Sequence, residues 1–363
     1  LLKEEERKWK WILSAAVFAS FAYLTRYNGI FVLVGIPIAI LLFNIYKLPW
    51  RNRILTTAVF FAVFVLVMSP WGIYCYHEKG SFFYNKNYIN IAYEMYAKGK
   101  IGWDQYWHVD AAKYSSLAQV IFSDTGLFFS TIVNNAYTHA VSDMKLLLGW
   151  QTGIFVLIGI ALFIKKRPGN IEASYYTIGA TFFGVLLLVF YGERFTFFLL
   201  PMYVALALRV FSWEKVTEFK FSKQLHVGVL ALAVILVWTF VESKNYNSEK
   251  INSGPTEIPI IAEAFKKQFG DRENGKFIIA RKPHIAYYTD LEMSGFPYVN
   301  TIEELQAEAV RIKASYLFFG IAEANMRPQF QILLNPQSAP AWLRPVAYTL
   351  SPPSVLYKIE IQK

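Results

Sequence analysis

The sequence predicts a polytopic α-helical membrane protein, with about seven transmembrane helices and a small extracytoplasmic α/β domain at its C-terminus. Three observations lead there. Hydrophobic residues make up 55% of the 363 residues and charged residues only 17%, a balance far from that of soluble domains. Apolar runs of roughly membrane-spanning length recur, with aromatic residues at their ends. Beyond residue 242 the pattern changes to short alternating helices and strands.

The predicted spans lie at about 11 to 24, 30 to 46, 54 to 70, 146 to 164, 174 to 191, 195 to 211 and 226 to 241, each near the ~20 residues a spanning helix needs. Trp9, Trp11, Trp50, Trp71, Tyr74, Trp150, Tyr191 and Trp213 fall at their ends, the level at which amphipathic rings are favoured. Orientation follows from the short loops. Lys3, Arg7, Lys8 and Lys10 precede the first span; Lys47, Arg51 and Arg53 follow the second; Lys165, Lys166 and Arg167 the fourth; and Lys215, Lys220 and Lys223 the sixth. With seven spans all these loops share one side, which the positive-inside rule makes the cytoplasm. The other side receives the turn TRYNG, the long segment 71 to 145, the turn YGERF and everything after 242. A membrane domain over 1–241 and an outer domain over 242–363 result, in the cell (inner) membrane.

The net charge of +10 comes mostly from the basic loops, where anionic headgroups are sufficient partners. No clustered basic face suits nucleic acid. The lone Cys75 has no partner for an internal disulfide. Leu1-Leu2 followed at once by KEEERKWK reads as the loop after an earlier span, so a longer protein is expected.

Segment 71 to 145 is too polar to span. Its part from Gly126 to Lys145 has apolar residues at helical spacing and suits an interfacial helix. Phe128, Phe129, Ile132, Val133 and Tyr137 would face lipid or protein, and Asn134, His139 and Asp143 water. After 242, NYNSEKINSGPTEIP reads as a linker. It is followed by a helix at about 258 to 268, a strand at 276 to 280, a helical stretch at 283 to 288 and a helix at 301 to 314. A strand at 315 to 320, a helix near 323 to 334, and strands near 345 to 348 and 354 to 361 complete an α/β layer.

Four stretches carry a resemblance: ASFAYLTRYNGIFVLVGIPIAILLF, MSPWGIYCYHEKG, STIVNNAYTHAVSDMKLLLGW and YGERFTFFLLPMYVALAL. They resemble the C-terminal two thirds of GT-C superfamily membrane glycosyltransferases (glycosyltransferase family 39-like), the group of the dolichyl-phosphate-mannose protein mannosyltransferases and the bacterial aminoarabinose transferases. Leu24 to Gly29, Pro70-Trp71 and Arg194 to Pro201 match that group's features in order, and KPHIAYYTD and ASYLFFG are similar to its soluble C-terminal domain. The resemblance implies transfer of a sugar from a polyprenyl-phosphate donor to a protein, lipid or glycan acceptor at the extracytoplasmic membrane face. Such chemistry needs a carboxylate to activate the acceptor and cations to stabilise the departing phosphate. The family's carboxylate lies in an outer loop upstream of this chain, so the fragment alone is expected to be inactive.

Arg26, Glu193 and Arg194 are the candidates for lipid-phosphate or substrate binding, because an ionisable group at a span's end is costly and arginine engages phosphate in two-pronged fashion. The alternatives are snorkelling or helix-end bonding for Arg26 and an ion pair that fixes the turn for Glu193-Arg194. Asp104, His108 and Asp110, with Glu78, are further candidates in the aromatic outer segment, where solvated loop residues are the competing reading. The pairs His108/Asp110 and His139/Asp143 have spacings open to a divalent metal, but two ligands alone make no site. A multi-pass transporter and a non-catalytic envelope protein with a partner-binding outer domain are the rival classes. Charges at helix ends rather than centres speak against the transporter.

Overall fold

A computed structural model describes residues 8–218, 226–252, 254 and 256–360. Lys3, Arg7, Lys220 and Lys223 of the basic loops lie outside the described residues. The chain divides into two units, one comprising residues 1–100 and 111–242, the other 101–110 and 243–363.

In the first unit, α1 (Lys8–Thr25), α2 (Ile30–Phe43) and α3 (Trp50–Lys79) pack around Ala16, Tyr23, Phe60, Phe64 and Met68. Short helices α4 (Asn87–Ala92) and α6 (Leu117–Ser123) lead to α7 (Thr125–Ser142); α5 (Trp103–Val109), between them, belongs to the second unit. Then come α8 (Trp150–Lys165), α9 (Asn170–Leu186), α10 (Glu193–Thr196), α11 (Leu200–Phe211), α12 (Glu214–Glu218) and α13 (Val227–Asn252), whose residues after Glu242 belong to the second unit. Phe31 of α2, Phe182 and Leu186 of α9 and Met202 of α11 form a second core, and Val156 of α8 meets Leu206 of α11 in a third. α8 and α11 approach closely because Gly159 presents no side chain to the Leu206 backbone.

Among the described residues three stretches are long and apolar enough to cross a membrane: Trp50–Lys79, Glu193–Phe211 and Gly228–Glu273, the last drawing its apolar part from α13. Little more than a quarter of the apolar window of Trp50–Lys79 is buried by protein, and Leu66 on it is 71% exposed. An apolar helix left that bare needs another apolar phase. The expected count of seven is not met. α2, at 14 residues, is stopped by Asn44 and Lys47 in the left-handed region (φ 43° and 51°). α8 has 16 residues, and α9, with 17, is diluted by Glu172, Ser174, Thr177 and Thr181. α1 opens on Lys8 and Lys10 and carries Ser14 and Ser20. The expected end of the third span at Pro70 is also overrun, since α3 continues to Lys79.

The second unit holds α14 (Glu257–Phe269), β1 (Phe277–Ala280), α15 (His284–Thr289), β2 (Glu292–Gly295), α16 (Ile302–Arg311), β3 (Tyr316–Gly320), α17 (Ile321–Met326), β4 (Leu343–Leu350) and β5 (Pro353–Ile359). The sheet order is β2-β1-β3-β5-β4, parallel among the first three and antiparallel from β3 to β5 to β4. β3 is buried throughout, and its alternation sends Tyr316 and Phe318 to a core with Ile261 and Phe265, and Leu317 and Phe319 to one with Leu305 and Phe330. The expected linker is shorter than its composition suggests, because α13 runs on to Asn252.

Candidate functional site

At the end of α1 the chain breaks on Arg26, whose backbone is extended (φ −150°, ψ 133°). Its N–H still donates to the Ala22 carbonyl (3.0 Å), and the Gly29 N–H donates to the Arg26 carbonyl (2.8 Å). A Cβ on Gly29 would stand 2.6 Å from the Ala22 oxygen, so the turn into α2 needs glycine there. α3 ends at Gly80 (φ 72°), whose N–H donates to the Tyr76 carbonyl (2.9 Å). The returning chain lays Phe82 against Gly72, and the Tyr27 hydroxyl donates to the Tyr84 carbonyl (3.3 Å).

These turns and the end of α9 enclose a cleft of about 920 Å³. Its wall carries two cations, Arg26 and Lys79, the amides of Asn28, Asn85, Asn87 and Asn90, and an apolar side formed by Ile30, Val34, Val185 and Leu188. Among the described residues no Asp or Glu lines it.

Phe195 of α10 closes one side. The Arg26 guanidinium carbon lies 5.1 Å and that of Arg194 4.8 Å from the centre of its ring. Two of the sequence-predicted residues, 168 positions apart, therefore converge on one aromatic ring. Both are exposed, and among the described residues neither has a carboxylate within ion-pair distance. Two like charges gathered without a counter-ion repel, and an anion placed between them relieves that cost. Glu193 is exposed beside them and does not pair with Arg194, so the alternative of an ion pair that fixes this turn is not met.

What does fix it is Asp143, which is fully buried. Its carboxylate accepts from the Tyr191 hydroxyl (3.1 Å), just before α10, and from the Tyr203 hydroxyl (2.7 Å), just after it. Asn135 donates to the Leu187 carbonyl (2.9 Å), and His139 packs edge-on against Tyr191 (5.3 Å). Burial raises the Asp143 pKa, opposed by the hydroxyls of Tyr203, Tyr191 and Thr196, while burial and the nearby Lys98 charge lower that of His139 to about 4. The expectation that His139 and Asp143 face water is thus overturned: both are buried, and Asn134 alone of the three is exposed. Phe129, Val133 and Tyr137 make the outward apolar face, as the spacing suggests.

Asp104, His108 and Asp110 are not at this cleft's wall and belong to the second unit. There Asp104 pairs with the buried Arg327, and His108 stacks on Tyr298 (4.5 Å, 14°). Arg327 covers the same Tyr298 ring at 4.8 Å. Asp110 ends α5, its N–H donating to the Tyr106 carbonyl (2.9 Å). These side chains clasp α5 to the second unit, and among the described residues no cluster of three or more potential metal ligands forms. Lys79 is missed by sequence reasoning although it stands in the stretch HEKG, where a cation directly before a helix-ending glycine was the available signal.

No protein-family model matches this chain, and no curated protein or solved structure matches it.

Proposed function

We propose that the chain is the carrier-binding part of a membrane glycosyltransferase that moves a sugar from a polyprenyl-phosphate donor to an acceptor at the extracytoplasmic face. The observation that carries this reading is the convergence of Arg26 and Arg194 on Phe195 with neither arginine ion-paired among the described residues, Arg26 and Phe195 standing in the wall of a cleft that has an apolar side. The phosphate would lie between the two guanidiniums, the prenyl chain along Val34, Val185 and Leu188, and the sugar among the asparagines. Because the cleft's charged lining is cationic only, a neutral sugar suits it better than an amino sugar. The acceptor-activating carboxylate is not in its wall, so the role assigned here is binding.

The proposed topology has seven passes, α1, α2, α3, α8, α9, Glu193–Phe211 and α13, with the short helices accommodated by local bilayer thinning. α2, α3, α8 and α9 place Lys47, Arg51, Arg53, Lys165, Lys166 and Arg167 at the ends away from the cleft, which supports an extracytoplasmic cleft. The test is binding of polyprenyl phosphate to the purified full-length protein, alongside release of radiolabelled sugar from polyprenyl-phosphate sugars in membranes. Loss of a charge-assisted contact of about 1.5 to 3 kcal/mol corresponds to roughly 10- to 100-fold weaker carrier binding for Arg26→Ala or Arg194→Ala. Unchanged affinity in both variants at equal protein level would remove the assignment.

A further inference from the structure

A second cavity of about 900 Å³ lies between α8, α9 and α11, at the far end of these helices from the cleft. Glu172 in the first turn of α9 lines it, whereas Val185 near that helix's end lines the cleft. Glu172 and Val185 stand 13 positions apart on α9, about 20 Å at 1.5 Å per residue, so the two openings lie toward opposite ends of the helix.

The cavity's side walls are apolar, with Leu162 and Leu208, and its mouth is charged. Arg209, in the last turn of α11, is ion-paired with Glu172, and the Lys166 ammonium lies 3.2 Å from the Glu214 carboxylate. The Arg209 guanidinium is also held over the Phe163 ring at 5.3 Å. Lys166, Arg209 and Glu172 thus line the mouth, and Glu214 stands beside it on Lys166. Helix-end electrostatics account for the Arg209–Glu172 pair by itself. They do not account for an apolar-walled cavity of this size opening beside it at membrane depth.

We propose that this cavity binds a phospholipid with a zwitterionic headgroup bearing a phosphate and a primary ammonium, drawn from the leaflet opposite the cleft. The phosphate would accept from Lys166 and from the guanidinium donors of Arg209 that Glu172 leaves open, and the ammonium would donate to Glu172 and Glu214. An anionic lipid brings a phosphate without the ammonium, so it meets two carboxylates it cannot satisfy and must displace Glu172 from a half-buried pair. A quaternary-ammonium headgroup has no N–H to give those carboxylates. The acyl chains would lie against Leu162 and Leu208.

The experiment uses the purified full chain in detergent, stripped of endogenous lipid and titrated with phosphatidylethanolamine, phosphatidylglycerol and phosphatidylcholine of matched acyl chains, with bound lipid counted by native mass spectrometry. The expected result is at least 10-fold tighter retention of phosphatidylethanolamine than of either other lipid. Ser212→Trp, at an exposed position of the mouth, should abolish that preference while the thermal midpoint without lipid stays unchanged. Lys166→Gln, which leaves the Arg209–Glu172 pair in place, should reduce it several-fold. Equal retention of the three lipids, tighter retention of phosphatidylglycerol, or an undiminished preference in Ser212→Trp would overturn the proposal. None of these outcomes depends on whether the cleft at the other end binds a sugar carrier.

Discussion

Replacing Asp143 with alanine removes the acceptor shared by two tyrosine hydroxyls, and its cost can be worked from the geometry. The carboxylate is fully buried and accepts at 3.1 Å from Tyr191 and 2.7 Å from Tyr203. Each hydroxyl left buried and unpaired costs about 1 to 3 kcal/mol, so Asp143→Ala should destabilise the first unit by about 2 to 5 kcal/mol. For a unit of this size that corresponds to roughly 5 to 15 °C in thermal midpoint. Asp143→Asn keeps one carbonyl acceptor and fills the same space, and the second tyrosine hydroxyl can turn to accept from the amide, so its loss should be about 1 kcal/mol. The consequence for the cleft is separate from stability. Tyr191 and Tyr203 flank the segment that carries Arg194, so under the proposed function Asp143→Ala should weaken polyprenyl-phosphate binding below its melting temperature, and Asp143→Asn should largely restore it. The assay is thermal unfolding of the purified full chain in detergent, paired with carrier binding at a temperature where every variant is folded. An alanine variant that melts within 1 °C of the parent, or an asparagine variant as impaired as alanine, would refute the reasoning.

Three further outcomes are expected. Because His139 is held neutral with its pKa lowered to about 4, the stability it contributes is present above its unfolded value of 6.5 and is lost as pH falls through about 4; His139→Gln should flatten the acid limb of the stability profile by about 3 kcal/mol. Asp143 acts with the opposite sign, its raised pKa making its contribution fall as pH rises above the unfolded value of 3.8, so Asp143→Asn should not remove the acid limb. Gly159→Ala forces a methyl into the Leu206 backbone and should cost about 1 to 3 kcal/mol or more in thermal unfolding, whereas Gly184→Ala in α9 meets no atom within 4 Å and should be neutral or slightly stabilising. Arg327→Met leaves Asp104 without its cation and Tyr298 without its cover, so amide hydrogen exchange over Trp103–Val109 should rise by about 10-fold or more while exchange in β3 stays slow.

How far the sequence discloses these features depends on the distance over which each is determined. Arg26 and Arg194 are legible because each stands at the boundary of an apolar run, where a charge has to be explained locally. β1, β3, β4 and β5 are legible because dense aliphatic and aromatic residues between turn signals admit few other readings. β2, with the residues EMSG, is not: it is a mostly exposed edge strand held by its register to β1, from Phe277 with Glu292 to Ala280 with Gly295, and nothing in its composition shows that. Several helices fall short of the expected spans in length or apolarity for a related reason. Mean apolarity does not register the left-handed Asn44 that stops α2, or the polar residues within α9 that face other helices. The polar side chains of α7 mislead most, because amphipathic spacing sends His139 and Asp143 to solvent. Their burial is decided by Tyr191 and Tyr203, which lie 48 and 60 residues beyond Asp143.

Glu94 and Asp143, the two buried carboxylates among the described residues of the first unit, share a local device. Glu94 lies in the π-helical turn Tyr93–Ala97 and Asp143 begins the π-helical turn Asp143–Leu147. Each such turn accommodates an extra residue and re-aims the side chains that follow, a distortion that ordinary packing does not require. Asn135 stands between them, 3.5 Å from the Glu94 carboxylate and bonded to the Leu187 carbonyl, while Lys98 neutralises Glu94 at 2.6 Å. The polar frame thus reaches both walls of the cleft. Asn90 and Ile91 stand in α4 within three residues of the first π-turn, and Leu188 and Phe195 follow the bonded Leu187 and Tyr191. Apolar residues of similar volume would hold these helices together as well or better, since buried ionic groups rarely add net stability. What they would not supply is directional attachment at Leu187, Tyr191 and Tyr203, the points that set where Arg194 and Phe195 stand relative to Arg26. The expense of burying Glu94 and Asp143 is therefore best understood as the cost of fixing the cleft's cationic rim in one geometry.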